Sequence, residues 1–463
     1  MKIPEAIENA LTTGDESRLQ AICNELHPAD AAAAFTALNE TQQLRFAQCL
    51  NNEALSLITG FLPAQETADL IAGLNKEDQA VILESLPDDV VADVIQEADK
   101  NKQQTYVELL SEAKKDVAET LLGYPEDSAG GRMTTAFASL REDMTIRQAI
   151  EALETTKEDA EILARIYVVD EENRILGKVR LRDLTFNARS RAIRDVMDHE
   201  KLAILAHADQ EEALKMMVKY DMIALPVIDN DNRLLGIITH DDALEIQEEE
   251  STEDLEKAAA IFGERDDEGY LKSPVLAHFK RRALWVFFLA VVAILSGLVI
   301  FHYENLLERV FILAVYMPMI VATGGNTGAQ SATMVIRAMS LGEFTPAEFF
   351  RVVWKELRIG LALGTLLGAL IALGSWILIK SFIHSDTLAT MTDSHDLAQL
   401  VTIVGIALTL QVTASTFIGA ALPMLARAIK LDPAVVASPA ITTIVDVLGL
   451  LIYFSIASSM LGL

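Results

Sequence analysis

From residue 1 to residue 122 apolar side chains recur at helical spacing inside short units. Leu26, Leu38, Leu50, Leu62, Leu74 and Leu86 stand twelve residues apart, each followed by His, Asn or Pro. Leu110 and Leu122 resume the register after Ala98 interrupts it. Units such as "LPAQETADLIAG" and "LPDDVVADVIQE" open with a turn or cap residue and continue with an apolar face. The period predicts a coil of short helices that bury each other's leucines. A plain helical bundle with accidental register is the alternative.

A different pattern follows. "YVVDEENRILGKVRLRDL" (167–184) and "PVIDNDNRLLGIITHDDA" (226–243) superpose at an offset of 59, which sets Asp170 on Asp229, Arg174 on Arg233, Gly177 on Gly236 and Asp183 on Asp242. Each copy reads as strand, polar turn, strand and helix start, and follows a helix ("TIRQAIEALETT", "QEEALKMMVKY"). The duplicated unit resembles a pair of CBS modules over about 133–248, a regulatory, ligand-sensing arrangement. Two small α/β modules without a ligand would carry the same pattern.

Residues 249–280 read as a helical connector whose acids ("EEESTEDLEK") precede its bases ("HFKRR"). Apolar spans follow at about 283–301, 310–337, 357–383, 397–426 and 434–463, each long enough to cross a bilayer. Lys280, Arg281, Arg282, Arg337, Arg351, Lys355, Arg358, Arg427 and Lys430 fall on one side of these spans, whereas the loops 302–309 and 384–396 are acidic or mixed. The basic side faces the cytoplasm, which predicts a cytoplasmic N-terminus and an external C-terminus. The expected fold class is multidomain. An all-α helical-repeat N domain (1–132) precedes an α/β tandem CBS pair (133–248), a connecting plug helix (249–280) and a five-helix α transmembrane domain (281–463).

Charge sharpens this division. Residues 281–463 hold ten Lys/Arg and ten Asp/Glu, so the whole net charge of −29 belongs to residues 1–280. Such a surface repels nucleic acid and attracts cations. The two cysteines, Cys23 and Cys49, have no CxxC spacing and read as reduced thiols. The opening "MKIPEAIENALTTGDESRL" does not resemble a signal peptide. No P-loop, nucleophile elbow or Cys/His pair stands out, which argues against an enzyme. His302, His384 and His395 read as surface residues of the outer loops.

Two spans carry candidate chemistry. Asp446 is the only acid between Pro433 and Leu463, with no Lys or Arg beside it in sequence. A carboxylate in hydrocarbon costs about 2.5 kcal/mol or more, so it should face protein or water. Ser438, Thr442 and Asp446 are spaced i, i+4, i+8 and share a helix face. A transport pathway is one reading; a hydrogen bond gluing two helices is the other. The second span, "MPMIVATGGNTGAQSATMVIRAMS", combines Pro318, Gly324, Gly325 and Gly328 with Thr323, Asn326, Thr327, Gln330 and Ser331. Either its backbone breaks to line a cavity, or its glycines allow close helix packing.

"PMIVATGGNTGAQSATMVIRA" (318–338), "DPAVVASPAITTIVDVLGLLIYF" (432–454) and "PEDSAGGRMTT" (125–135) are similar to signatures of the MgtE family of magnesium channels, and the resemblance runs the length of the chain. It implies a homodimer in the plasma (inner) membrane with a pore on the two-fold axis, lined by the second and fifth spans. Asp446 would then face the same hydrated Mg2+ from both subunits, with Thr442, Ser438 and Asn326 near its waters. Magnesium sheds water reluctantly, which suits two carboxylates gripping a largely hydrated ion. The family often carries an amide-bearing residue where Ser438 stands.

The resemblance also implies that cytosolic Mg2+ closes the pore by cancelling repulsion among acids. Candidate sensors are Asp209, Asp221, Asp242, Glu245, Glu250, Glu253 and Asp254, with Asp432 at the cytoplasmic mouth. Thr239 and Asp242 have the T-x-x-D spacing of CBS ribose sites, so ATP is a possible ligand; in the first copy Arg180 replaces the hydroxyl before Asp183. Rival readings are a membrane-anchored CBS sensor, and a carrier of another divalent cation or an ion-coupled exchanger.

Overall fold

The computed structural model describes residues 3–13, 16–156, 162–199, 202–263, 270, 273–382, 396–433 and 438–462. Two compact units divide the chain near Glu250, and each is described separately.

The first unit begins with ten short helices: α1 (Ile3–Thr13), α2 (Glu16–Glu25), α3 (Pro28–Thr36), α4 (Glu40–Cys49), α5 (Asn52–Thr59), α6 (Ala64–Ala72), α7 (Lys76–Ser85), α8 (Asp88–Glu97), α9 (Lys100–Leu109) and α10 (Glu112–Leu121). From α3 onward the helices follow the twelve-residue period. The repeating leucine sits at or next to each helix end: Leu50, Leu86 and Leu110 are C-caps, and Leu38, Leu62 and Leu86 are buried. Asn39, Asn51 and Asn75 then cap the next helices by accepting from the backbone N–H three residues on. Alternate helices stack, α1, α3, α5, α7 and α9 in one row and α2, α4, α6, α8 and α10 in the other. Ala98 keeps the buried C-cap role of the leucine it replaces, so the period continues through it.

The CBS-like half holds β1 (Phe137–Arg141), α11 (Ile146–Thr156), β2 (Ile162–Val169), β3 (Ile175–Val179) and α12 (Leu181–Phe186), then β4 (Ile204–Leu205), α13 (Gln210–Tyr220), β5 (Ala224–Ile228), β6 (Leu234–Thr239) and α14 (His240–Ala258). Each module is a three-stranded sheet, with the first two strands parallel and the last two antiparallel. The two turns are copies in detail. Asn173 and Asn232 both take φ 63, a left-handed conformation that asparagine tolerates. Asp170 and Asp229 each accept two backbone N–H groups across their turn. The turns also bond each other, Ile175 N to Asn232 O and Leu234 N to Asn173 O.

Residues 125–132 join the two halves. Ala129 N and Gly130 N donate to Ala208 O and Ala206 O, and Arg132 Nε donates to Gln210. A Cβ on Gly131 would lie 2.3 Å from the Pro125 carbonyl, so this tight turn admits only glycine.

The second unit takes the last turns of α14 and then α15 (Val275–His302), α16 (Glu304–Arg309), α17 (Ile312–Ser340), α18 (Phe349–Phe382), α19 (Leu397–Ala428) and α20 (Ser438–Leu461). The expected connector at 249–280 thus contains the end of α14 and the start of α15. The expected loop at 302–309 is largely the short helix α16, formed because Leu306 has a buried seat. Residues 383–395, with His384 and His395, lie outside the described residues.

Among the described residues, α15, α18, α19 and α20 are long and apolar enough to cross a membrane. The expected second span is α17, 29 residues long and diluted by its polar midsection. It packs against α19 and α20; α18 lies along α19, and α15 along α20. The apolar core includes Leu313, Ile320, Val404, Leu408, Tyr453 and Phe454, and the Tyr453 hydroxyl donates to the Leu313 carbonyl at 2.9 Å.

Candidate functional site

The backbone of α17 does not break. It runs as one helix from Ile312 to Ser340 through Pro318 and the glycines, so the close-packing reading is the one realised. A Cβ on Gly324 would meet Gln411 at 2.2 Å, one on Gly325 would meet Thr442 Cγ2 at 2.9 Å, and one on Gly328 would meet Ile441 at 3.1 Å. Glycine brings α17 against α19 and α20 where side chains would hold them apart.

The polar residues of α17 separate by rotation. Thr323 and Thr327 donate back to carbonyls one turn earlier, Met319 O and Thr323 O, which satisfies them inside the helix. Ser331 is buried, its Oγ 2.9 Å from both the Thr416 carbonyl and Glu356 Oε2. Asn326 and Gln330 instead lie on an open face with Ala322 and Thr333. The open faces of α15 and α18 carry Leu284, Phe287, Phe288, Leu366, Leu370 and Leu373. A hydrocarbon-facing surface has the second composition and not the first.

Asp446 stands on α20 beside this face. Its Oδ1 lies 3.7 Å from where a Gly325 side chain would begin, is buried, and has no hydrogen-bond partner among the described residues. No described basic side chain comes within ion-pair reach of it. Thr442 is one turn away, half-buried against Gly325. The Ser438 side chain lies outside the described residues.

The cytosolic candidates fall into separate places. Asp209 and Asp221 cap opposite ends of α13, twelve positions and so about 18 Å apart along the axis at 1.5 Å per residue. Asp209 is the N-cap and accepts from Glu211 N at 2.7 Å; Asp221 is the left-handed C-cap. Glu250 accepts from Gln210 Nε2 at 2.6 Å.

Asp242 caps α14, accepting from Thr239 N at 2.9 Å and Thr239 Oγ1 at 2.6 Å, and burial raises its pKa. Glu245 is raised by burial with Asp242 and Glu249 nearby, while Glu249 pairs with Arg132.

Two acids that the sequence did not single out complete this cluster. Asp89 and Asp93 stand one turn apart on α8, where the helical repeat meets the CBS half. Burial pushes Asp89 up to about 6, with Asp242 adding repulsion, and its Oδ1 is buried without a partner among the described residues. Burial pushes Asp93 up to about 7 against the pull of Arg132, with Asp89, Glu126 and Glu249 adding to the rise. Among the described residues no three His, Cys, Asp or Glu side chains are grouped to hold a metal ion by themselves.

In the second unit Lys257 bridges two acids, 2.5 Å from Glu253 and 3.1 Å from Asp432. Burial alone would depress its ammonium, but these carboxylates outweigh burial and raise its pKa. Glu256 pairs with Arg281 at 2.5 Å, and Asp254 is exposed. A lysine cation therefore occupies the Asp432 carboxylate expected at the cytoplasmic mouth.

The CBS pair contains a cavity of about 250 Å³ lined by Arg165, Tyr167, Lys178, Arg180, Tyr220 and Asp221, among others. Neither Thr239 nor Asp242 lines it. Thr239 is buried and spends its polar atoms on capping α14. The cavity draws its cations from the first module, including Arg180, which the motif reading counted as a defect.

Sequence profiles described as MgtE intracellular N domain, CBS domain and Divalent cation transporter match residues 26–127, 129–188 with 193–249, and 317–456. The chain is 35% identical over 475 residues to the Magnesium transporter MgtE of Thermus thermophilus, covering 99% of each. It is 29% identical to that of Bacillus subtilis, covering 97% of this chain and 95% of the relative. A crystal structure of the cytosolic domain of the Mg2+ channel MgtE in complex with ATP aligns with a TM-score of 0.50 at 32% identity, over 52% of this chain and 99% of that one. The chain belongs to the MgtE family of magnesium transporters.

Proposed function

We propose that this chain forms a homodimeric, magnesium-selective channel in the plasma (inner) membrane, admitting Mg2+ to the cytoplasm and closing when cytosolic Mg2+ is high. The N-terminus is cytoplasmic and the C-terminus external. The observation that carries the reading is Asp446, a carboxylate without a basic partner among the described residues, beside the open polar face of α17. Two copies would present two carboxylates to one hydrated ion. Octahedral Mg2+ keeps its waters, and in this reading Asn326, Thr442 and Ser438 would contact them. Full-length protein in liposomes tests this by Mg2+ flux, which Asp446→Ala abolishes. Flux unchanged by Asp446→Ala removes the pore assignment, and no flux from either protein favours a membrane-anchored sensor.

Closure rests on the acids. Repulsion links Asp93 to Asp89, Asp89 to Asp242 and Asp242 to Glu245, and a divalent ion bound at any of these pairs would offset repulsion and desolvation together. Glu250, Glu253, Asp254 and Asp432 extend the acids along the plug, and Asp209 and Asp221 sit at the two ends of α13. Since one chain groups no three of these acids, an ion here is held by one or two carboxylates with its waters, or between subunits. Neutralising Glu250, Glu253 and Asp254 together leaves the pore open at high cytosolic Mg2+. Unaltered closure and unaltered Mg2+ protection from protease in that variant remove the sensor assignment.

The CBS cavity favours a second ligand. Arg165, Lys178 and Arg180 supply positive charge beside the Tyr167 ring, which suits the phosphates and base of ATP. The aligned cytosolic domain is in complex with ATP.

A further inference from the structure

Gln411 is a lone amide in the interior of α19, 1% exposed; the other side chains buried in the bundle are, among the described residues, apolar or hydroxyl-bearing. Its Nε2 donates to the Val445 carbonyl of α20 at 3.0 Å. That carbonyl belongs to the residue before Asp446. The amide reaches it through a gap left by two glycines on two helices. A Cβ on Gly324 of α17 would lie 2.2 Å from Gln411 Nε2, and a Cβ on Gly449 of α20 would lie 2.3 Å from the same atom. Gly449 is one helical turn beyond Val445, so the missing side chain exposes the very carbonyl that Gln411 grips. Three helices therefore meet at one hydrogen bond.

We infer that Gln411 is a positioning residue that sets the height and rotation of α20 and thereby the placement of the Asp446 carboxylate. Val445 is fully buried in an apolar cluster with Ala332 and Ile441, while Asp446, one residue on, is turned about 100° around the helix toward Gly325. Apolar packing alone resists separation of the helices but leaves sliding and rotation cheap; a directional N–H to C=O bond opposes both. In hydrocarbon the bond has no water to replace it. The Gln411 Oε1 is buried without a partner among the described residues, so the amide gives up one acceptor to make this contact. A side chain present only to fill the gap would be apolar.

This assignment rests on the channel reading of Asp446 for its flux consequences but not for its structural ones. The test uses full-length protein in liposomes with Gln411→Met, which keeps the length and removes the donor. We expect the half-saturating Mg2+ concentration to rise about tenfold with maximal flux within about twofold, because the carboxylate is displaced and not lost. Ca2+, supplied as competitor, should gain relative to Mg2+. In an Asp446→Asn background the same substitution should change neither quantity further. Amide hydrogen exchange over 443–449 should quicken in Gln411→Met irrespective of flux. If Gln411→Met does not fold, Gln411→Glu, with an acceptor in place of the donor, is measured in the same way. Unchanged half-saturation, competition and exchange in the folded variant overturn the inference. Wild-type protein that passes no Mg2+ overturns the channel reading instead, and exchange then decides the role of Gln411.

Discussion

Two groups of carboxylates drawn partly out of water occupy this chain, and they are housed in opposite ways. In the first unit Asp93, Asp89, Asp242 and Glu245 repel one another in successive pairs, with Arg132 close by and Glu249 paired to it. In the second unit Asp446 stands without a described ion-pair or hydrogen-bond partner at Oδ1, on a helix held by glycine packing. A crowded site with a resident arginine responds to cations in degree, since part of its charge is already balanced. A lone carboxylate has nothing to fall back on when its ion leaves. The first housing suits a switch and the second suits a way-station, where binding must be strong enough to admit an ion and weak enough to release it.

The contrast breaks most sharply at Asp446. Asp446→Ala should lower Mg2+ flux at least about a hundredfold, since it removes a carboxylate without a described basic partner, and flux in liposomes reads it directly. Next comes the response of the first unit to pH without divalent ions. Asp89 and Asp93 hold their protons more tightly when folded, at about 6 and 7 against an ordinary 3.8. Their stabilising contribution is complete below about pH 4 and is lost as pH rises through 6 to 7. The loss is on the order of 3 kcal/mol for Asp89 and 4 kcal/mol for Asp93, each taken alone.

The Asp89→Asn, Asp93→Asn double variant should therefore melt higher than wild type at pH 7.5, by a margin that shrinks toward pH 5. Saturating Mg2+ should raise wild type more than the variant. A smaller effect is expected from Lys257→Met, worth about 1–2 kcal/mol for a partly buried pair, and read as a higher open fraction in zero Mg2+. That variant leaves Glu253 and Asp432 facing each other, so closure depends more steeply on Mg2+. Smallest is Arg180→Ala, which should reduce thermal protection by ATP while Thr239→Ala at the α14 cap leaves the ATP-dependent part of the shift intact.

The elements built from periodicity were legible in the sequence because each period is itself a packing instruction. The twelve-residue leucines mark helix ends, and the offset of 59 marks two turns with the same left-handed asparagine. Asp446 was legible for the opposite reason, as a breach of composition. What stayed hidden depends on rotation and on distant partners. Thr323 and Thr327 look like pore lining until their hydroxyls are seen to bond their own helix. Asp89 and Asp93 are two among 67 acids until α8 is packed against the CBS half. Gln411 reads as an isolated polar residue in an apolar span, and only the facing glycines reveal its reach.

The two-row stacking of α1–α10 has a mechanical corollary. Because helices touch chiefly their next-but-one neighbours, a slight adjustment at each joint adds along the row, much as the leaves of a coiled spring share a bend. A load on the α8 carboxylates would enter such a row near one end, and its small joint adjustments would add toward α1.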